Sequence, residues 1–365
     1  MRIAMIGQKK VPSREGGIEV VAEKLAMGLA QKGHSVTLYN RKSCQAKSCG
    51  NSSLHKNIRI YTVCTINRKG LAAISASFSG AVLAAFGRFD IVHFHAEGPS
   101  LFCWIPKLTG KKVIVTVHGL DWQREKWGKL AGRIIKQGEK AAVRHADAII
   151  VLSENIKSYF LREYGRETQF IPNGAEVSEQ RINGTKDSYI LFLGRLVPEK
   201  GVHDLIAAFQ KVKNHPFLED KQLIIAGASS DTDAYYQQLL KLAGDEKRIV
   251  FAGFVQGQRL AELFSNAYLY VLPSATEGMP LSLLEAMSYG NCCVVSDISE
   301  LTEVVEEYGI ISRQGNVDDL AEKLLTAPQE IRRYQRAARE FILQKYNWDT
   351  TVERTMELYE NTLHQ

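Results

Sequence analysis

The chain predicts an α/β protein built from two parallel-sheet domains, and three observations carry that expectation. Its 365 residues exceed what one hydrophobic core commonly organises, and 45% apolar composition is enough for two. Short apolar runs rich in Ile, Val and Leu alternate with helix-period segments from residue 3 to residue 296, the pattern of βαβ units. Several runs end in turns that lead straight into a helix, and there an open α/β sheet places its ligands.

In the first domain, residues 3–6 form the opening strand and residues 8–15 a polar, basic loop. Gly16 and Gly17 permit a tight turn and close approach to a ligand before a helix over about residues 18–31, which Gly33 ends. The second strand, 35–39, ends in Asn40, and the first turn reads GQKKVPSREGG. A dinucleotide site wants G-x-G-x-x-G there and an acid after the second strand, so NAD is not expected. A polar loop (44–57), a strand (58–62), an apolar helix (71–86) and a strand (91–94) follow. The helix reads as buried rather than membrane-touching, since its sixteen residues are too few for a span and three serines interrupt them. In HFHAEGPS (93–100), His93 and His95 alternate and so share a strand face; with no third ligand apparent, they read as structural or substrate-side groups rather than a metal site.

Strand 112–117 delivers His118, Gly119, Leu120, Asp121 and Trp122. Asp121 offers a hydroxyl acceptor and Trp122 a flat apolar face, which suits an acceptor sugar. The run 124–144 carries Arg124, Lys126, Lys129, Arg133, Lys136, Lys140 and Arg144, a basic helix suited to an anionic membrane. Ser153 is an N-cap after strand 148–152, and residues 178–188, SEQRINGTKDS, read as a linker.

The second domain supplies strands at 189–193, 223–226, 249–251, 268–272 and 292–296. After the first of these come Gly194, Arg195, Pro198, Lys200 and Gly201; a planar fork of donors and a point charge in one turn suit a diphosphate. After the fourth comes PSATEGMPLSLLEAMSYG, in which Glu277 lies in the turn, Pro280 opens the helix and Glu285 lies about a turn inside it. Ionised carboxylates only accept hydrogen bonds, so the pair suits a hydroxyl-rich ligand, while the amides of Met279 to Leu281 suit phosphate. Together these turns describe a pocket for a nucleotide sugar. Asp231 and Asp233 resemble a metal-binding aspartate pair but precede a helix, where acids serve as caps, so no divalent metal is predicted.

Six motifs, GGIEVVAEKLAMGLAQKGHSVT, TVHGLDW, IPNG (171–174), LGRLVPEKG, FAGFV and PSATEGMPLSLLEAMSYG, occur in an order that resembles the retaining glycosyltransferases of family 4. The resemblance implies the B-type (GT-B) architecture, two Rossmann-like domains facing a cleft: residues 1–177 for the acceptor and 189–345 for the nucleotide sugar, joined by the linker 178–188. Residues 346–365 are then a helix that returns to the first domain. It implies His118, Glu277, Arg195 and Lys200 as the catalytic set. Donor contacts are implied at Gly17, Gly194, Phe254, Val255, Gly278, Met279, Pro280, Leu281 and Glu285, and acceptor contacts at Asp121, Trp122 and Asn173. After Gly290 the chain lacks the proline and glycine pair usual in the family, which loosens the sugar contacts on that side. Sugar transfer with retention, without cofactor or metal, is the implied reaction; a nucleotide-sugar epimerase of the same shape is the alternative.

Residues 1–170 hold 27 basic against 12 acidic side chains, +15, and the remainder 19 against 28, −9. The first half is therefore drawn to anionic surfaces or acceptors, and a lipid-linked or surface-polysaccharide acceptor is expected rather than a nucleic acid. A strand at the very start leaves no room for a signal peptide, and six scattered cysteines show neither a disulfide framework nor zinc spacing. The cytosol, at the inner face of a membrane, fits these features.

Overall fold

The computed structural model describes residues 1–42, 51–66, 68, 70–123, 128–176, 189–229 and 233–365. The expected linker, Arg124, Lys126, Asp231 and part of the 44–57 loop lie outside the described residues. The chain divides into two compact units, Met1–Asn173 with Trp348–Gln365, and Gly174–Asn347.

Unit 1 runs β1 (Arg2–Ile6), α1 (Gly17–Gln31), β2 (Ser35–Arg41), β3 (Asn51–His55), β4 (Ile58–Val63), α2 (Leu71–Phe86), β5 (Ile91–His95), α3 (Glu97–Ser100), α4 (Trp104–Leu108), β6 (Lys112–Val117), α5 (Lys129–His145), β7 (Ala148–Val151), α6 (Glu154–Tyr164) and β8 (Gln169–Phe170). Its strands lie in the order β3-β4-β2-β1-β5-β6-β7-β8, parallel except for β3, which pairs antiparallel with β4. Strands buried on both faces read as continuous apolar runs, and β1 shows why. Ile3 and Met5 point to a cluster with Leu25 and Leu29 of α1, whereas Ala4 and Ile6 point to one with Ala81 and Ala84 of α2. Ser153 caps α6 as expected, accepting the Ile156 N–H at 3.2 Å.

Unit 2 runs β9 (Tyr189–Leu193), α7 (Val202–Val212), β10 (Gln222–Ala226), α8 (Asp233–Ala243), β11 (Ile249–Gly253), α9 (Gly257–Asn266), β12 (Leu269–Leu272), α10 (Leu281–Ser288), β13 (Cys292–Ser296), α11 (Ser299–Val305), β14 (Ile310–Ser312) and α12 (Val317–Lys345). The strand order is β11-β10-β9-β12-β13-β14, all parallel. Counted within the unit this is 3-2-1-4-5-6, the doubly wound Rossmann order, and it reverses direction between β9 and β12. The turns after those two strands therefore flank the crevice in which such sheets bind ligands.

The last helix, α13 (Trp348–His364), belongs to unit 1. Val352 and Tyr359 enter the core that α1 covers, and Gly28 of α1 makes room, since a Cβ there would lie 2.5 Å from Val352. Tyr359 OH also meets His93 Nδ1 at 2.6 Å, and Thr116 Oγ1 meets Nε2 at 2.7 Å. His93 is thus a buried structural group, as one branch of the sequence reading had it, and burial holds its pKa well below the ordinary value. Tyr359→Phe strands a buried ring nitrogen, so we expect a loss of about 1–3 kcal/mol, read as a lower melting temperature of the full chain. An unchanged melting temperature would contradict this role for Tyr359.

Candidate active site

In unit 2 the two turns at the strand-order reversal are locked together by backbone. Gly201 adopts φ +65°, and a Cβ there would lie 2.0 Å from the Pro273 carbonyl oxygen, so the turn after β9 touches the turn after β12 only because residue 201 is glycine. The Ala275 N–H donates to Glu199 O at 2.8 Å across the same seam. Below it, the buried Tyr270 hydroxyl donates to Leu193 O at 3.3 Å and to Ser282 Oγ at 2.8 Å, tying the end of β9 to α10.

On this seam the structure brings together two of the four expected catalytic residues of the chain. Lys200 Nζ donates to Glu277 Oε1 in a short ion pair, and Ser274 Oγ donates to the same oxygen at 2.7 Å. Glu277 is buried and Lys200 nearly so. Arg195 lies in the same turn, partly exposed; its carbonyl accepts the Val197 N–H at 3.0 Å, and its side chain forms no hydrogen bond or ion pair among the described residues. Gly194 sits at the end of β9, where its carbonyl oxygen would lie 1.8 Å from a Cβ on Gly227. Phe254 is exposed and Val255 partly so, just after β11, with Gly253 at φ +68°.

Pro280 does not occupy the first helical position, as the sequence suggested, but caps α10 in an extended conformation (φ −75°, ψ 111°). Its carbonyl accepts the Leu283 and Leu284 N–H groups at 3.1 and 3.3 Å, a role open to a residue with no N–H of its own. Leu281 and Ser282 then present first-turn amides at the positive end of the helix. Gly278 and Met279 lie in the turn between Glu277 and that cap, and Glu285 sits in the middle of α10, partly exposed.

In unit 1, Gly17 is the first residue of α1, after an extended Gly16. The loop before it is pinned by two groups the sequence did not point to. Asn40 brackets Val11, accepting its N–H at 3.1 Å and donating to its carbonyl at 2.8 Å, and Glu19 accepts the Lys9 N–H at 2.8 Å. His118 follows β6 and meets His95 Nδ1 through its Nε2 at 3.2 Å; His95 is buried, and burial with the neighbouring His118 lowers its pKa. His93 and His95 stack at 4.3 Å, so they share a face, as their alternation implied. Asn173 is buried at the end of the unit.

Asp121 and Trp122 rest on a buried polar cluster that sequence reading missed. Glu97 Oε2 accepts the Asp121 N–H at 2.8 Å, and Glu139 Oε2 accepts the Trp122 indole N–H at 3.0 Å. Glu139 Oε1 also accepts from Lys136 at 2.8 Å, from Tyr159 at 2.9 Å and from Tyr164. Lys136 in turn lies over the Trp122 ring, 4.2 Å from its centroid. The two glutamates come from α3 and α5, which close on each other because Gly138 has no side chain: a Cβ there would lie 2.0 Å from Glu97 O. The only sequence signal was an acid directly after a buried strand and another inside a basic helix.

Burial, with the adjacent Glu139 and Asp121 carboxylates, pushes the Glu97 carboxyl up to about 10. Glu139 is also pushed up by burial, but the Glu97 proton, Lys136 and Tyr164 outweigh that and carry it below the usual range. The pair is therefore one acid and one carboxylate at neutral pH. Between the ordinary glutamate pKa and about 10 the folded chain holds a proton that the unfolded chain has lost, so this site's contribution to stability falls as pH rises. Glu97→Gln removes that proton linkage, and its melting temperature should gain on the native one as pH goes from about 6 to about 9. Melting curves that keep a constant offset across that range would refute a shared proton here.

Among the described residues, no group of three His, Cys, Asp or Glu side chains is placed to hold a metal, and no helix is long and apolar enough to cross a membrane. Two family descriptions match the chain, Glycosyltransferase Family 4 over residues 15–179 and Glycosyl transferases group 1 over residues 175–353. An uncharacterized glycosyltransferase of Methanocaldococcus jannaschii is 26% identical, covering 98% of each chain, and a glycogen synthase of Mycobacterium tuberculosis is 26% identical over 98% of this chain and 94% of its own. Among solved structures, sucrose-phosphate synthase from Thermosynechococcus elongatus superposes with a TM-score of 0.81 at 21% identity, covering 99% of this chain and 98% of its own. Anabaena HepE in complex with UDP and glucose gives 0.77 at 19%, covering 98% and 99%. With two Rossmann-like sheets and both matches laid end to end along it, the chain belongs to the group 1 glycosyltransferases of GT-B fold.

Proposed function

We propose that this glycosyltransferase moves a sugar from a UDP- or GDP-type nucleotide sugar to an acceptor hydroxyl, with retention at the anomeric carbon and without a metal. The observation that carries the donor half is the Lys200–Glu277 pair at the strand-order reversal of unit 2. A buried cation and a buried carboxylate side by side match a ligand whose phosphate lies next to its sugar hydroxyls. Such a donor satisfies Lys200 with its diphosphate and Glu277 with its sugar, and so replaces their bond to each other.

Arg195 adds a planar fork for the same diphosphate, and the first-turn amides of α10, at Leu281 and Ser282, add partial positive charge. Charge grows on the diphosphate as the glycosidic bond breaks, so these groups act most strongly in the transition state. Glu285 takes the ribose, and Phe254 and Val255 lie against the base. With a single carboxylate at the reacting end, same-face attack guided by the departing phosphate is the retaining route we favour. In unit 1 the proposed roles are His118 in the reaction, Gly17 for the donor, and Asp121, Trp122 and Asn173 for the acceptor.

The named HepE complex contains UDP and glucose, which supports a uridine donor here as the first to test. The basic character of residues 1–170 supports a lipid-linked or surface-polysaccharide acceptor handled at the inner face of a membrane.

Arg195→Ala and Lys200→Ala should each lower kcat by about a hundredfold or more in a transfer assay, because each removes a donor to the leaving group. Turnover near the native rate in either variant would remove that residue from the mechanism. A thermal-shift screen of UDP-, GDP- and ADP-sugars should show one base raising the melting temperature, by about 2.7 kcal/mol of added stability at a hundred times Kd. No response to any of them would overturn the donor assignment.

A further inference from the structure

The apolar helix of residues 71–86 is not buried in the way its composition suggested. Its small residues face inward: Ala76, Ser77, Gly80, Ala81, Ala84 and Ala85 are buried, and Gly80 sits close enough to the sheet that a Cβ would be 3.3 Å from Ile6. Its large residues face out, with Phe86 83% exposed and Leu71, Phe78 and Leu83 also exposed. This inverts the arrangement of a helix whose outer face meets water, where the large apolar groups turn inward.

A second element extends the surface. Trp104 and Leu108, one turn apart on α4, are exposed as well, Leu108 to 77%. Thr109 Oγ1 donates to Ala85 O at 3.1 Å, which sets the end of α4 against the end of α2, and the Phe78 and Phe102 rings meet edge-on at 5.5 Å. Phe86 and Leu108 therefore flank one junction. The chain around this patch is basic: residues 64–89 and 98–120 contain no Asp or Glu but do contain Arg68, Arg88, Lys107 and Lys111, and of these Lys107 is paired with Asp147 at 2.5 Å.

We propose that α2 and α4 form the face by which the protein lies on an anionic bilayer, with Phe78, Leu83, Phe86, Trp104 and Leu108 entering the interface and the flanking Arg and Lys meeting lipid phosphates. This rests on the reading of unit 1 as the side that meets a membrane, and it names the surface. A second copy of the chain fits less well, because a self-paired patch would bring Arg68, Arg88 and Lys111 of the two copies together. It also relocates the contact from α5, where Lys136 is held by Glu139 and the aromatic rings around it.

The test uses the full chain with vesicles of phosphatidylcholine alone and of phosphatidylcholine with phosphatidylglycerol. Sedimentation with the mixed vesicles is expected, weakening as salt rises, and Phe86→Ser/Leu108→Ser should reduce it by about tenfold or more. Because that double variant risks the fold, its melting temperature and its response to UDP-sugar are measured alongside. In the native chain, brominated lipid should quench tryptophan fluorescence, and Trp104→Phe should abolish the quenched component. Equal binding by native and double variant, absence of native binding to the mixed vesicles, or quenching that survives Trp104→Phe would each overturn the proposal, as would loss of a concentration-dependent dimer without any vesicle binding. Sugar-nucleotide binding is read without vesicles, so a failed donor assignment shows itself separately.

Discussion

One close approach sets the geometry of unit 2: the turn after β9 touches the turn after β12 at Gly201, where any Cβ would collide with the Pro273 carbonyl. The contact is possible because the two strands are neighbours at the point where strand order reverses. It brings Lys200 from one turn against Glu277 from the other, 77 residues apart in sequence. A cation and a carboxylate that each await a ligand would carry a large desolvation penalty if buried singly, and burying them as a pair with Ser274 offsets much of it. In the proposed function, a donor then takes over the groups that this pair holds in place.

Unit 1 solves a related problem with a proton rather than an ion pair. Glu97 fixes the Asp121 backbone and Glu139 fixes the Trp122 ring, so the loop after His118 has a support on each side. Two buried carboxylates so near each other cannot both stay ionised, and the one with Lys136 and two tyrosines keeps the charge. The other keeps its proton, and its contribution to stability falls as pH rises, beside the loop proposed to serve the acceptor.

The sequence made the fold legible because parallel strands buried on both faces announce themselves as unbroken apolar runs. Ile3 to Ile6 and Cys292 to Val295 are examples that need no tertiary knowledge. The two turns that bring Lys200 and Glu277 together were legible as well, since each carries its charged residue shortly after such a run. What stayed hidden depends on partners far away in sequence. Glu97 reads as an ordinary turn acid until Glu139 arrives beside it, and Asn40 as a mere strand end until it brackets Val11. The helix 71–86 misled for a further reason: composition reports how apolar a segment is, and its inner face is set by residue size instead.

The charge distribution sharpens the division of labour between the two units. Residues 174–347 hold 18 basic against 24 acidic side chains, a net −6, so the net charge of the unit that holds the proposed donor site does not draw in an anionic nucleotide sugar. The net charge of that unit is therefore not what would gather the proposed donor. In the proposed role, attraction comes from Arg195, Lys200 and the start of α10 acting at contact distance, in a partly buried turn where a charge counts for more than in open water. The same reasoning runs in reverse for unit 1. Over residues 1–173 and 348–365 it holds 28 basic against 16 acidic side chains, a net +12, a field that suits the large anionic surface proposed for it.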